Sequence, residues 1–525
     1  MEHSCVRQDQ IPGTTRLYAD FLYHFDRVSA FYPHNFADPA SFSQAAAEIH
    51  LPEDRRKRLV SALGLQNPPS ANLPRLAEPG TVAVVTGQQV GLLSGPSYTV
   101  FKALTAVKLA AELSQQGLPA VPVFWLASED HDLAEVDHAW LFNHGARPAK
   151  ISLPDSVTNG GPVGKVAIPD LPWPEIQQVM AGLPFADEVI ERLRAAYPAQ
   201  TTFTHGFKTF LKDLLSDLGL LFLDPLERAI RELGAPFLAE SVSRLPELLA
   251  ALKQRDSDLA HAGYHSQVHL EANSSLLFVL ADEKRTALHF KDGAFSTRER
   301  SYTDRELQAL SSLLSPNALL RPVLQDYLLP TVAYVGGPAE IAYMAQGQVL
   351  YEKLLGRMPV IFPRNSFTLL DSRATKLIDR FDLCMTDLLQ HQDKVRSKIA
   401  AHLVPPGLAG EFSVIESGIS KAIANLQSNL RNFDPTLEAA AQKSGAKMLY
   451  QLQRLASKTA RETLRRDERS VWAANYLIDL IYPQRHLQER FYSIVPFLAK
   501  HGLDLPARLL GMTQLTCPDH MVRTV

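Results

Sequence analysis

Cysteine is scarce: Cys5, Cys384 and Cys517 are the only three in 525 residues, and they lie far apart. No CxxC pair exists, which argues against a structural zinc site on thiolates. Sparse thiols fit a reducing cytoplasm, and a chain of this length needs no disulfides for stability. Cys384 falls on an apolar heptad position and reads as core. Cys5 and Cys517 lie near the chain ends, where order is often low. None of the three is expected to be catalytic. No apolar run approaches ~18 residues, so no transmembrane helix is expected. The opening MEHSCVRQDQIPGTTRLY holds no apolar stretch of the kind a secretion signal needs. Positive charge is not in surplus either. Lys plus Arg number 53 against 56 Asp plus Glu, a net charge of -3, so the chain offers no overall basic footprint for nucleic acid. Neither a P-loop nor a GxGxxG spacing occurs, which removes support for kinases and ordinary dinucleotide enzymes.

What is present is ordinary for a globular protein: 46% hydrophobic and 21% charged residues. The length predicts about three domains and more than one core. Proline is in excess, 35 residues, about 7% against a usual ~5%. The last ~150 residues are poor in it. Proline punctuates, so two architectures are expected in one chain.

The first is an α/β fold. Leu17–Tyr32 carries aromatics at helical spacing and predicts an amphipathic helix; a second helix is expected around Glu53–Leu63. Thr81–Val85 (TVAVV) is a β-branched run of the kind buried parallel strands show. A glycine-containing loop, a helix over Tyr98–Leu113 and a second buried run at Val121–Ala127 complete a βαβ unit. Its ligand site is expected at the strands' C-terminal ends. Further strands are predicted at Leu218–Leu223, Thr331–Val335 and Pro359–Phe362. Residues 145–200 read as an irregular insertion, and 240–315 as a second one containing an antiparallel hairpin at 265–300. The sheet domain is thus placed at 1–372. Heptad spacing at Leu377, Phe381, Cys384, Leu388, Val395 and Ile399, and again at Met448, Leu452, Leu455 and Thr459, predicts coiled-coil arms over 373–485. A Pro/Gly-rich break is expected at 404–413. Residues 486–525 return to a globular pattern.

Three segments concentrate polar groups at strand ends. In TGQQVGLLSGPSYT (86–99), Gly87, Gly91 and Gly95 suit positive φ or close ligand approach. Gln88, Gln89, Ser94 and Tyr98 could hydrogen-bond a ligand. The helix N-terminus that follows is a natural anion site, and Lys102, one turn in, is expected to reach a phosphate or carboxylate. In SEDHD (128–132), Glu129, Asp130, His131 and Asp132 stand together after the second strand. They suit holding an ammonium or ribose, binding Mg²⁺, or acid–base work. A helix N-cap accounts for one of these acids, not the run. A Zn²⁺ set of His131, Asp132 and His138 is the minor alternative. In AYVGGPAEIAYMAQ (333–346), Gly336 and Gly337 precede Glu340, Tyr343 and Gln346 on one rough helical face. Arg321, Gln325, Asp326 and Asn365 are weaker candidates.

Taken together, TGQQVGLLSGPSYTVFKA, PVFWLASEDHDLAEVDH and RPVLQDYLLPTVAYVGGPAEIAYMAQ resemble the hallmark stretches of the bacillithiol biosynthesis cysteine-adding enzyme (cysteine ligase) family. The resemblance implies a Rossmann-like nucleotidyltransferase core, as in class I aminoacyl-tRNA synthetases. Connecting-peptide insertions interrupt that core, and a dimerising C-terminal α-helical coiled coil follows it. It further implies a cytoplasmic ligase that adds L-cysteine to glucosaminyl-malate by an amide bond, with ATP, and possible Mg²⁺, activating the cysteine carboxylate. Two synthetase motifs are missing: SGPSYTVFK replaces HIGH, and PRNSF stands where KMSKS belongs. GISKA at 418–422 is a poor substitute. On this reading Lys102 and the 86–99 loop hold phosphates, Glu129, Asp130, His131 and Asp132 handle cysteine or the amine, and Glu340, Tyr343 and Asn365 complete the pocket. The partners are small molecules and a second copy of the chain, with no nucleic acid and no membrane. The alternative is a non-catalytic coiled-coil scaffold or partner subunit with a vestigial nucleotide pocket.

Overall fold

The computed structural model describes residues 3–67, 69–155, 157, 161–281 and 283–525. Residues 156 and 158–160 of the first expected insertion, and Asp282 of the second, lie outside the described residues. The chain divides into two compact units, Cys5–Thr368 with Glu489–Val522, and Leu369–Gln488 with the extreme ends.

The first unit is built on five parallel strands: β1 (Val82–Gln88), β2 (Ala120–Leu126), β3 (Leu221–Leu223), β9 (Thr331–Gly336) and β10 (Val360–Pro363). Their spatial order is β10-β9-β1-β2-β3. Every residue of β2 is buried, which is why these strands read as continuous apolar runs rather than alternating ones. Helix α1 (Tyr98–Gln115) joins β1 to β2, and α3 (Pro338–Leu355) joins β9 to β10. The connections run to opposite sides of β1, so the strand order reverses between β1 and β9. A crevice opens there beyond the strands' carboxyl ends.

The chain between β3 and β9 supplies a separate antiparallel sheet: β4 (Ser274–Ala281), β5 (Lys284–Lys291), β6 (Ala294–Ser296), β7 (Ser301–Tyr302) and β8 (Leu314–Pro316). Its order is β7-β6-β5-β4-β8, so the expected hairpin is part of a five-stranded sheet. Helix α2 (Arg321–Leu328) then leads into β9. The 145–200 segment is less irregular than its proline and glycine content suggests. It carries one strand of a hairpin (His138–Phe142 with Pro148–Ser152) and helices over Trp173–Met180 and Ala186–Ala196. The N-terminal helix is shorter than predicted, Arg16–Tyr23. It stops at His24 (φ -143°, ψ 55°), and the remaining aromatics fold back, with Phe21 packing on Phe25, Tyr32 and Phe36.

In the second unit the long arms are α4 (Pro406–Phe433) and α5 (Pro435–Arg466), an antiparallel hairpin. The expected first arm at 377–399 is instead three short helices, Ser372–Arg380, Met385–Leu388 and Gln392–His402. The expected break at 404–413 is where α4 begins, because Pro406 sits in its first turn, the position where a missing N–H costs nothing. The α5 seam also differs in register. Gly445, Leu449, Leu452, Ala456 and Thr459 keep the 4-3-4-3 spacing and are at least half-buried, while Met448 and Leu455 point outward. Gly445 opposes Ile423 so closely that a Cβ there would meet its side chain at 2.7 Å. Gly445 sets this close approach; of the expected positions Leu452 and Thr459 lie in the seam, and Met448 and Leu455 lie on the other face.

Candidate active site

A cavity of about 460 Å³ occupies the crevice at the carboxyl ends of β1, β2 and β9. Of the residues expected at a site, Gly87, Gln88, Gln89, Tyr98, Glu129, Asp130, Gly337, Glu340 and Tyr343 line it. Three segments widely separated in sequence are brought together there.

One wall is the N-terminus of α3. The Glu340 carboxylate caps its own helix, accepting from Gly337 N at 2.8 Å, and accepts from Tyr334 Oη at 2.6 Å and Lys102 Nζ at 2.7 Å. Lys102 Nζ also donates to the Gly87 carbonyl and to Gln88 Oε1. Burial opposes charge on Glu340, but the Lys102 ammonium and these hydrogen bonds hold it below its usual range, so it stays ionised. The expectation that Lys102 reaches a phosphate is corrected by this geometry. Its side chain is 1% exposed and all three N–H donors are engaged behind the cavity wall. Lys102 ties the end of β1 to the start of α3. Gly87 is glycine for a related reason: a Cβ there would stand 2.8 Å from the Trp125 carbonyl oxygen of β2.

A second wall carries the carboxylates that follow β2. Arg231 Nη1 donates to Glu129 Oε1 at 2.6 Å. Burial pushes the Glu129 carboxyl up, although Arg231 and Arg285 pull the other way. Asp130 behaves oppositely. The His131 side chain stands beside it with Nδ1 at 3.6 Å, it accepts from Gln89 Nε2 at 2.7 Å and from the His131 backbone N–H at 2.7 Å, and Arg285 stands 3.8 Å away. These contacts outweigh burial and hold Asp130 well below the carboxylate range. Two neighbouring acids are thereby driven apart in acidity.

The remaining wall is basic and was largely missed in the sequence. Arg321 was only a weak candidate; Arg285, Arg364 and Arg490 were not candidates at all, and all four line the cavity. Arg285 comes from β5, lies over Phe278 at 3.8 Å and donates to the Pro316 carbonyl at 2.9 Å. Arg364 follows β10 and pairs with buried Glu489 at 2.6 Å. Arg321 donates to neutral groups only, Tyr343 Oη at 3.1 Å and Gln325 Oε1 at 3.3 Å, with Tyr334 Oη at 3.5 Å. Arg490 is exposed, lies over the Tyr98 ring at 5.7 Å and has no carboxylate partner among the described residues. Arg364 could have been noticed in PRNSF, quoted for its asparagine. Arg285 and Arg490 stand in stretches with no glycine-rich turn beside them, and nothing local marks them as site residues.

Several expected site residues lie elsewhere. Gly91, Ser94 and Gly95 belong to a turn packed away from the cavity, where Ser94 N donates to Tyr197 Oη and Gly95 takes φ +63°. Gly336 is a buried strand end beside Tyr334. Asn365 does not complete the pocket; its amide brackets Gln514, donating to the carbonyl at 2.9 Å and accepting from the N–H at 2.7 Å. Gln346 and Asp326 are buried in structural hydrogen bonds, to Val268 and Tyr351. Asp132 is exposed, and His131 sits outside the lining with Nδ1 2.9 Å from Arg285. His138 Nδ1 pairs with Asp137 instead. Among the described residues no three His, Cys, Asp or Glu side chains converge as metal ligands, so the His131, Asp132 and His138 set is not assembled. No helix is long and apolar enough to cross a membrane among the described residues.

With this geometry in place, comparison with known proteins decides the family. Residues 1–365 match the family model "Bacillithiol biosynthesis BshC, N-terminal Rossmann-like domain", and residues 367–524 match "Bacillithiol biosynthesis BshC, C-terminal coiled-coil domain". The chain belongs to the BshC family. It is 48% identical over 525 residues to a protein of Solibacter usitatus named "Putative cysteine ligase BshC", covering 100% of both chains. Proteins of the same name from Koribacter versatilis and Salinibacter ruber are 37% and 30% identical, over 99% and 93% of this chain and 99% and 92% of theirs. The Rossmann-like core and the coiled coil are therefore those of the family.

Proposed function

We propose that this protein is a cytoplasmic ligase that joins L-cysteine to glucosaminyl-malate through an amide bond, with ATP activating the cysteine carboxylate. The observation that carries this reading is the charge balance of the cavity. Glu340 is neutralised by Lys102, Glu129 by Arg231, Glu489 by Arg364, and Asp130 lies beside Arg285. Arg321 and Arg490 make no ion pair with a carboxylate among the described residues, although the Glu340 charge is felt at Arg321 across Tyr334. Two unmatched guanidinium groups suit a ligand with two negative charges, because arginine binds planar carboxylates through paired donors. The malate half of glucosaminyl-malate is such a ligand. The names of the relatives supply cysteine as the other substrate.

In this scheme Asp130, fully ionised, holds the cysteine ammonium. Glu129, whose affinity for protons is raised by burial, takes the proton from the sugar ammonium so that its amine can attack the activated carbonyl. ATP converts the carboxylate oxygen into a leaving group. Arg364 and the N-terminal end of α3 are the groups placed to meet its phosphates. Mg²⁺ would arrive with those phosphates. The outward apolar residues of the helical hairpin, Val414 at 72% and Leu455 at 55% exposure, support dimerisation through that hairpin. The reading is tested by expressing the chain in a bacterial strain that accumulates glucosaminyl-malate because its own cysteine-adding step is deleted. Restored bacillithiol is expected; continued accumulation with soluble protein present would sink it.

A further inference from the structure

The two cysteines nearest the chain ends are not isolated. Cys5 Sγ and Cys517 Sγ stand 3.9 Å apart although 512 positions separate them. Cys5 is exposed and Cys517 partly so. Their proximity is held by a fixed group. Tyr23 Oη accepts from the Gln8 backbone N–H at 2.8 Å and donates to Asp519 Oδ1 at 2.6 Å, with Arg7 lying over its ring at 4.0 Å. One tyrosine therefore anchors the segments that carry both thiols. Closing the sulfurs to the ~2.05 Å of a disulfide needs a movement of about 2 Å. The third cysteine has no such partner: Cys384 Sγ contacts Thr386 and Asp387.

We propose that Cys5 and Cys517 form a thiol–disulfide exchange site for a low-molecular-weight disulfide, which staples the two ends of the chain. The exposed Cys5 thiolate attacks one sulfur of the small disulfide, forms a mixed disulfide and expels one thiolate. Cys517 then attacks the Cys5 sulfur, forms the protein disulfide and expels the second thiolate. The two protons lost by the cysteines go to the two departing thiolates. The small disulfide is reduced to two thiols, and no other oxidant is needed. Burial and the neighbouring Cys5 push the pKa of Cys517 up, which suits it to resolve rather than to attack first. The staple would fix the C-terminal segment whose Gln514 is bracketed by Asn365, next to Arg364 in the cavity wall. Oxidation state would then bear on the rigidity of that wall.

The experiment uses the full-length protein carrying Cys384→Ser, so that only two thiols remain. It is incubated with cystine and followed by intact mass and non-reducing peptide mapping. The expected product has lost two hydrogens, carries a Cys5–Cys517 crosslinked peptide and melts at a higher temperature, all reversed by dithiothreitol. Cys517→Ser in the same background should stop at a Cys5–cysteine mixed disulfide. Lasting mixed disulfides on both cysteines, crosslinks between chains, or no reaction would each overturn the proposal. Loss of ligase activity in untreated Cys5→Ser protein would also count against it, since an exchange site is idle under reducing conditions.

Discussion

Replacing Lys102 by Met separates two roles that look alike in the sequence. If Lys102 holds the site together, its removal strands Glu340, a carboxylate 20% exposed that would keep only Tyr334 and the Gly337 N–H as donors. Breaking a buried pair from one side costs about 3–5 kcal/mol. Glu340 borders the cavity and keeps two hydrogen bonds, so the lower end, about 3 kcal/mol, is expected. Glu340→Gln should cost at least as much, because Lys102 is the more deeply buried partner. The double variant should recover about 2 kcal/mol of the summed losses, the coupling expected of groups in direct contact. The assay is urea unfolding followed by tryptophan fluorescence, in which Trp125, fully buried in β2, reports on the sheet unit. An unchanged unfolding midpoint together with abolished activity would refute the reasoning and return Lys102 to direct contact with a ligand.

Arg490→Ala removes an exposed, unmatched guanidinium; KM for glucosaminyl-malate should rise ~10–100-fold, the worth of a charge-assisted contact of about 1.5–3 kcal/mol, while the unfolding midpoint stays put. Equal KM values in steady-state kinetics would contradict this. Acid should destabilise the protein through His520, which is fully buried between Ser366 and Thr368 at 2.6 and 2.7 Å and has its pKa lowered to about 4 from 6.5. Between those values the unfolded chain binds a proton the folded one refuses, so stability is complete above pH 6.5 and falls as pH drops towards 4, by about 3 kcal/mol. His520→Gln should flatten that part of a stability–pH profile; an unaltered profile would reject it. Val414→Glu with Leu455→Glu should convert a dimer into a monomer by light scattering at micromolar concentration, and a monomeric parent protein would contradict the dimer.

The core was legible because buried parallel strands are written as contiguous apolar runs, and the five strands fall within a few residues of their expected places. The pocket was half legible. Glycines and acids crowded at strand ends marked Gly87, Glu129, Asp130 and Glu340, since such groups are costly to assemble by chance. Their roles were not legible. Which face Lys102 turns to depends on Glu340, 238 positions away, and no local pattern encodes that pairing. The arginines were missed for the same reason: each is ordinary in its own stretch and becomes a site only when β5, α2 and residue 490 meet. In the second unit the heptads showed that long helices exist and caught Leu452 and Thr459 of the seam, but they placed the first arm too early and took Met448 and Leu455 for seam positions held by Leu449 and Ala456.

The account turns on whether this cavity forms the cysteine–glucosamine amide. Purified protein incubated with L-cysteine, glucosaminyl-malate and MgATP should yield bacillithiol by mass spectrometry, with nucleotide consumed in step with product and the yield lost in Glu129→Gln. No product with the folded wild-type protein, or undiminished product from Glu129→Gln, would contradict it.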